Sequence, residues 1–137
     1  FSFGIGGGNK INSSSWILKN WSFDSEERIW GKFFTLFQDK GIKVKELIIM
    51  PRKKMSFQRH TLRNEIWLVS RGSCVVNFSE KDPNLKNEIH LKHHDYFVVR
   101  AMNWHQITNP NDVQCNILEI QYGEETIEED IERLIQK

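Results

Sequence analysis

Apolar residues recur in short runs with a period of two along most of the chain, which is the pattern of strands that bury one face. Turn sequences such as Asp39-Lys40-Gly41 and Asp82-Pro83-Asn84 separate the runs. The predicted strands are 30–37, 44–50, 56–60, 65–69, 74–78, 88–91, 96–99, 105–108 and 116–121. Many short strands without intervening helices indicate an all-β sandwich or barrel, and the jelly roll is one of the usual ways to close one.

The two ends of the chain depart from the strand pattern. Residues 1–15 are rich in glycine and serine, so we predict a flexible arm followed by a single domain over residues 16–137. Residues 124–137 change to a helical period, with acidic residues first, where a helix dipole favours them. The apolar residues on the expected helical face are Ile127, Ile131, Leu134 and Ile135. We therefore expect a short C-terminal α-helix.

Composition is that of an ordinary globular domain. The chain has 137 residues, of which 39% are hydrophobic and 27% charged, which is enough for one core. A net charge of +1 provides no basic excess, so we expect no nucleic-acid partner. No run approaches the roughly 20 apolar residues of a membrane helix, so we expect no membrane partner. Cys74 and Cys115 lie in apolar strands, and we expect reduced core thiols in a cytoplasmic protein.

One stretch concentrates side chains that bind metals. Gln58, His60 and Glu65 follow one another with the spacing Gln-x-His-x4-Glu. Strand side chains repeat every second residue, so Gln58 and His60 are expected on one face, and Glu65 returns to that face if the backbone turns at 61–64. His105 adds a second histidine from a distant strand. Two imidazoles, a carboxylate and an amide oxygen suit a divalent first-row metal.

These residues resemble the two sequence motifs of the cupin superfamily, a family of jelly-roll barrels. Residues 51–72 are similar to the first motif, Gly-x5-His-x-His-x4-Glu-x6-Gly, with Gln58 in the first histidine position. Residues 94–109 are similar to the second motif, Gly-x5-Pro-x-Gly-x2-His-x3-Asn, through His105 and Asn109. The residues that replace motif glycines or the motif proline are Arg52, His94, Arg100 and Met102. The resemblance implies an all-β cupin double-stranded β-helix.

Glutamine at residue 58 narrows the resemblance to the type II mannose-6-phosphate isomerase branch of cupins. The likeness is to the cupin domain of bacterial bifunctional enzymes that join this isomerase to mannose-1-phosphate guanylyltransferase. The segments that carry it, besides the two motifs, are 28–31, 43–45, 54–58, 121–124 and 130–133, and they extend it over roughly residues 28–134. The chain departs from the branch at Thr61, Leu62 and Ile66, where the family commonly has histidines.

The resemblance implies a metal-dependent isomerase that interconverts mannose 6-phosphate and fructose 6-phosphate through an enediol. It implies one divalent ion, zinc before manganese, cobalt or nickel, which would stabilise charge as a Lewis acid. The implied metal ligands are Gln58, His60, Glu65 and His105. A sugar phosphate is the expected small-molecule partner.

Four further residues have expected roles at this site. By strand alternation Lys54 and Ser56 share the face of Gln58, so Ser56 is placed to donate to a sugar or phosphate oxygen. Lys54 and Arg63 are expected to hold a phosphate. Lys54 is also a candidate base, provided that its surroundings lower its pKa. The resemblance makes Arg133 a candidate catalytic arginine, which would stabilise charge because arginine stays protonated.

A second hypothesis keeps the cupin shape without catalysis: a sugar-phosphate or nucleotide-sugar binding module that accompanies a guanylyltransferase. The substituted motif glycines and the missing histidines favour it. Retention of all four ligand positions favours the enzyme. Under either hypothesis we expect a homodimer, because unpaired sheet edges invite pairing and Trp16 and Trp21 suit an arm laid on a partner subunit.

Overall fold

The computed structural model describes residues 25–134, which form eleven strands and, within that range, no helix. The strands are β1 (Ser25–Arg28), β2 (Gly31–Asp39), β3 (Ile42–Ile49), β4 (Gln58–Arg59), β5 (Arg63–Arg71), β6 (Cys74–Ser79), β7 (Asn87–Leu91), β8 (Tyr96–Val99), β9 (Trp104–Thr108), β10 (Cys115–Gly123) and β11 (Glu132–Arg133). Every predicted strand overlaps one of these, so the all-β prediction is confirmed. The predicted arm over 1–15 lies outside the described residues.

The strands pair into two antiparallel sheets. The larger sheet has the order β1-β2-β3-β10-β5-β8, and the smaller has the order β11-β4-β9-β6-β7. Strands distant in sequence are neighbours in both sheets, since β10 lies between β3 and β5, and β9 lies between β4 and β6. The chain therefore alternates between two facing sheets, which is the jelly-roll arrangement. In the part of the chain that the structure describes, no helix is long and apolar enough to span a membrane.

The inner face of the larger sheet is apolar at one end and polar at the other. Strict alternation of buried residues along β3, β5 and β10 defines this face. The apolar half comprises Leu47, Ile49, Trp67, Val69, Cys115 and Ile117, all in the hydrophobic core. The polar half, which continues the same alternation, comprises Lys43, Lys45, Arg63, Glu65, Glu119 and Gln121, and all six are buried. Buried charges require partners, so the candidate functional site is expected at this end of the barrel.

Three residues that replace cupin motif glycines adopt the backbone conformation that glycine favours. Arg52, His94 and Met102 have φ angles of 65°, 74° and 73°, and they are the non-glycine residues with positive φ among residues 25–134. The left-handed region costs an L-residue roughly 1–2 kcal/mol. The chain thus retains the turn geometry of both motifs although the glycines are gone.

The expected C-terminal helix is wrong for the residues that the structure describes. Residues 124–134 form a turn at 128–129 followed by the short strand β11. The segment is held by contacts to distant residues instead of by helical hydrogen bonds. The Asp130 carboxylate accepts from the backbone N–H groups of Thr61 (2.9 Å) and Leu62 (2.8 Å). The acidic residues therefore bind elements of the barrel and do not cap a helix.

Candidate metal centre

His60, Glu65 and His105 converge at the polar end of the barrel. His60 follows β4 and His105 lies in β9, both strands of the smaller sheet, whereas Glu65 lies in β5 of the larger sheet. One ligand atom from each residue lies within 4.8 Å of the others, and the three residues are 1–2% exposed. The backbone bends at 61–62 and passes from the smaller to the larger sheet, so Glu65 faces His60 from the opposite sheet instead of returning to the same strand face. The structure thus brings together three of the four predicted metal ligands as a buried cluster.

Both histidines present an unprotonated Nε2 to this cluster. The Nδ1–H of His60 donates to the Asp130 carbonyl (2.7 Å), and the Nδ1–H of His105 donates to the Asn103 carbonyl (2.9 Å). Burial, followed by the charge of Arg63, lowers the pKa of His60 to about 4. Burial, followed by the charge of His60, lowers the pKa of His105 to about 3. The imidazoles are therefore neutral at pH 7, which is the form that ligates metals.

The neutral histidines leave a surplus of acceptors at the centre of the cluster. His60 Nε2 lies 3.3 Å from Glu65 Oε2, and His105 Nε2 lies 3.6 Å from Glu65 Oε1. Among the described residues, three buried side-chain atoms have no hydrogen-bond partner: His105 Nε2 and Glu65 Oε1 in this cluster, and Gln121 Oε1 on the neighbouring strand. Lone pairs that face one another in a buried site call for a cation between them. The donor set of this cluster therefore fits a divalent metal ion.

Gln58 adds the fourth predicted ligand at the edge of the cluster. Its Nε2 lies 3.4 Å from His60 Nε2, and Ser56 Oγ donates to its Oε1 at 2.6 Å. Gln58 also pairs with His105 across β4 and β9. A half-turn of the amide group exchanges its oxygen and nitrogen, and the Ser56 hydroxyl accepts as readily as it donates. The Gln58 oxygen can thus face the cluster without losing its contact with Ser56.

The Arg63 guanidinium donates three hydrogen bonds, two of which go to the His60–Glu65–His105 cluster. Its Nε donates to Glu65 Oε2 (2.9 Å), its Nη2 donates to His60 Nε2 (3.2 Å) and its Nη1 donates to the Ile127 carbonyl (3.0 Å). The residue is 5% exposed. These contacts orient Glu65 and His60, whereas the sequence predicts that Arg63 holds a phosphate. Its binding to substrate stays a prediction.

A cavity of about 890 Å³ lies beside the cluster. All four of the other predicted site residues, Lys54, Ser56, Arg63 and Arg133, line it together with Gln58. Lys54 and Arg133 are exposed, and Ser56 is half-buried. Register places Arg133 opposite Gln58 through the pairing of β11 with β4. The cavity therefore brings the predicted catalytic and substrate-binding side chains next to one predicted metal ligand.

Sequence reasoning assigned no site role to three charged residues and one glutamine on the same cavity wall. Lys45, Glu119, Gln121 and Glu128 line the cavity, and the first three belong to the polar half of the larger sheet. Lys45 sits two residues from Lys43 and from Leu47 on the inward face of β3. The sequence signal for these residues is that the period-two alternation of the apolar strand β3 continues through two lysines, which predicts that the lysines also face inward.

The paired sheets and the buried His/Glu/His cluster define the chain as a cupin. Residues 20–136 match the family described as mannose-6-phosphate isomerase C-terminal, and the chain belongs to this family. Similar curated proteins include mannose-1-phosphate guanylyltransferase 2 of Escherichia coli O157:H7, which is 29% identical over 77% of this chain and 21% of its own length. Alginate biosynthesis protein AlgA of Pseudomonas aeruginosa is 29% identical over 78% of this chain and 21% of its own length. The chain spans about a fifth of the length of these relatives.

Two solved structures illustrate the shared fold. The capsular polysaccharide assembling protein CapF of Staphylococcus aureus superposes with a TM-score of 0.71 at 20% identity, over 81% of this chain and 32% of that one. A sugar phosphate isomerase of the cupin superfamily from Silicibacter pomeroyi superposes with a TM-score of 0.60 at 15% identity, over 73% of this chain and 71% of that one. At these identities the likeness concerns the fold alone.

Proposed function

We propose that this cupin is a metal-dependent aldose–ketose isomerase that interconverts mannose 6-phosphate and fructose 6-phosphate in the synthesis of polysaccharide precursors. The observation that carries the proposal is the buried set of ligand atoms from His60, Glu65 and His105, with Gln58 between them and the cavity. A site used only for shape recognition has no physical need for two neutral histidines that face a carboxylate. The names of the family and of the relatives agree with a sugar phosphate as the ligand.

The chain's own residues have distinct tasks in this reaction. A divalent ion held by Gln58, His60, Glu65 and His105, with zinc as the proposed metal, supplies Lewis-acid polarisation of substrate oxygens when bound. A base must remove a proton from the carbon next to the carbonyl and return it to the neighbouring carbon. We assign this task to a cavity residue, with Lys54 as the candidate. Arg133 stabilises the negative charge of the enediolate form of the intermediate, and Ser56 donates to a substrate oxygen.

One observation favours a non-catalytic sugar-phosphate or nucleotide-sugar binding module as the second candidate. The Arg63 guanidinium already donates to Glu65 Oε2 and to His60 Nε2, so it supplies positive charge to two of the proposed ligands. A cupin in which this arginine replaces the metal would retain the cavity and lose the Lewis acid. Metal binding thus separates the two functions.

The isomerase proposal is tested by following the conversion of mannose 6-phosphate to fructose 6-phosphate. The purified chain is assayed after treatment with EDTA and again after zinc, manganese or cobalt is restored. We expect turnover only with metal, and none in His105→Ala. His90→Ala is the matched control, because that histidine is exposed and outside the cluster. Metal-independent turnover, or none with any of the metals, would contradict the proposal.

Two further parts of the proposal concern the state of the protein. We propose a homodimer, since β1 is an exposed edge strand of the larger sheet and such edges invite pairing. A monomeric mass in light scattering would contradict it. We also propose a cytoplasmic location, because Cys74 and Cys115 are both buried and free.

A further inference from the structure

Two buried lysines share a single carboxylate, and one of them, Lys45, lines the cavity together with that carboxylate. Lys43 and Lys45 are 7% and 4% exposed, and both face the interior from β3. Their ammonium groups donate to Glu128 Oε2 at 3.1 and 2.8 Å. The Lys45 ammonium also lies 4.1 Å from the centre of the Phe33 ring. Burying an ammonium group is costly unless it is paired, so the Glu128 carboxylate is what makes this arrangement stable.

The other nearby carboxylate is committed elsewhere. Glu119 is paired with Lys45 in strand register, but its oxygens accept from Trp67 Nε1 (3.0 Å) and Gln121 Nε2 (2.8 Å). Burial, followed by the charge of Glu65, raises the pKa of Glu119. Within residues 25–134, Glu128 is thus the carboxylate that binds both lysines through hydrogen bonds.

Glu128 differs from the lysines in its exposure. Its side chain is 48% exposed, whereas those of Lys43 and Lys45 are 8% and 5% exposed. Its neighbours anchor the backbone: the Ile127 carbonyl accepts from Arg63, and the Asp130 carbonyl accepts from His60. The Glu128 carboxylate can therefore turn into solvent while the backbone on either side of it keeps its contacts with Arg63 and His60. The lysine side chains, in contrast, are almost fully buried.

The lysines lie in the same sheet as Glu65 of the His60–Glu65–His105 cluster. In register, Lys43, Gln121 and Glu65 form one row across β3, β10 and β5. Neighbouring strands are about 4.8 Å apart, so the lysine strand lies about 10 Å from the Glu65 backbone. Lys45, Glu128 and Gln58 line the same cavity. A ligand that reaches toward Gln58 at one end therefore has a second, cationic wall within the same space.

We propose that Lys43 and Lys45 form a phosphate subsite and that the Glu128 carboxylate occupies it until a phosphate group of the ligand displaces it. A phosphate monoester carries nearly two negative charges and three acceptor oxygens, so it satisfies two ammonium groups better than one carboxylate does. The sugar phosphate as the ligand rests on the proposed function, but the anion chemistry does not. In this assignment Glu128 is a positioning residue that pairs with both ammonium groups when no phosphate is bound.

The test is calorimetric titration of the purified chain with inorganic phosphate in EDTA. Glu128→Gln removes the competing charge, and we expect phosphate to bind about tenfold more tightly, because the ligand no longer displaces a charge-assisted contact. Glu132→Gln is the matched control, since it removes the same charge from the same segment. The Glu132 carboxylate pairs with Arg59 at 2.9 Å and not with the two lysines. The Glu132→Gln variant should leave the phosphate affinity unchanged. Lys45→Met keeps an unbranched side chain of similar length but removes the ammonium group, including its position over the Phe33 ring, and it should weaken phosphate binding at least tenfold.

The outcomes separate this inference from the isomerase proposal. Unchanged or weaker phosphate binding in Glu128→Gln would overturn the inference, as would equal tightening in the Glu132→Gln control. If Lys45→Met fails to fold, the comparison of the two glutamine variants decides alone. If Glu128→Gln fails to fold because both ammonium groups lose their carboxylate, Lys45→Met decides, and phosphate binding as tight as in the wild type would overturn the inference. Parallel titrations with mannose 6-phosphate and mannose identify the source of the phosphate, and mannose binding that equals mannose 6-phosphate binding would also overturn it. A Lys45-dependent phosphate site in a chain without turnover would refute the isomerase and leave the subsite standing.

Discussion

The His105 ring gives the sharpest prediction, because its Nε2 is buried without a hydrogen-bond partner and faces a Glu65 oxygen at 3.6 Å. In His105→Leu this nitrogen is gone. An unsatisfied buried polar atom costs about 1–3 kcal/mol, and its removal is a gain for the metal-free protein. The variant also loses the hydrogen bond from Nδ1 to the Asn103 carbonyl, which contributes about 1 kcal/mol. Without metal, the variant should be as stable as the wild type or up to about 2 kcal/mol more stable.

Metal should reverse this order. At a free zinc concentration 100-fold above its Kd, the wild-type protein gains about 2.7 kcal/mol of unfolding free energy. If loss of one ligand weakens binding 100-fold, the His105→Leu variant gains only about 0.4 kcal/mol at the same zinc concentration. The side chain that costs stability in the metal-free protein is then the one that provides it when zinc is bound.

Urea unfolding followed by tryptophan fluorescence, in EDTA and in zinc, measures both terms. His90→Leu is the control, since the His90 side chain is 70% exposed and should change neither value appreciably. The reasoning is refuted if His105→Leu loses more than about 2 kcal/mol in EDTA and keeps the full zinc increment. That pair of results would make His105 an ordinary packed histidine.

Two other properties follow from the same structure. In EDTA the unfolding free energy should fall by about 2 kcal/mol per histidine between pH 7 and pH 5: His60 and His105 have folded pKa values of about 4 and 3, below the unfolded 6.5, so the unfolded chain binds protons first. Burial raises the pKa of Glu119, which opposes part of this loss, and a pH-independent urea midpoint would contradict the account. Met102→Gly should raise stability by up to about 1 kcal/mol, because φ is 73° there and the side chain of Met102 is already partly exposed. A thermal melt below that of the wild type would show that the turn is not strained.

The strands were predictable because burial in this fold follows a local rule. Alternation along β5 and β10 is strict, and it persists where the inward residues are charged, as at Glu65 and Glu119. The motif spacing groups His105 with His60 and Glu65, and the structure places the three together although Glu65 comes from the other sheet. A ligand set is specified by the fold as well as by local pattern. The edge strand β1 was missed because its four residues are polar and exposed, and only pairing with β2 makes it a strand.

The errors concern segments whose structure is set by distant contacts. Residues 127–131 have a helical apolar period, but the Asp130 carboxylate binds two backbone N–H groups of the 61–62 bend and Glu128 binds two lysines. These contacts replace the hydrogen bonds that a helix would have made. The lysine pair was missed for the same reason, because nothing in a single strand reveals that its inward lysines meet a carboxylate more than 80 residues away.

The central claim, a metal centre built by Gln58, His60, Glu65 and His105, is tested most directly by elemental analysis of the purified chain after dialysis against zinc, manganese and cobalt. A Gln58→Ala/His105→Ala double variant provides the comparison, with circular dichroism to show that it folds. We predict close to one metal ion per wild-type chain and essentially none in the variant. No metal in the wild-type chain, or equal metal in both proteins, would contradict the account.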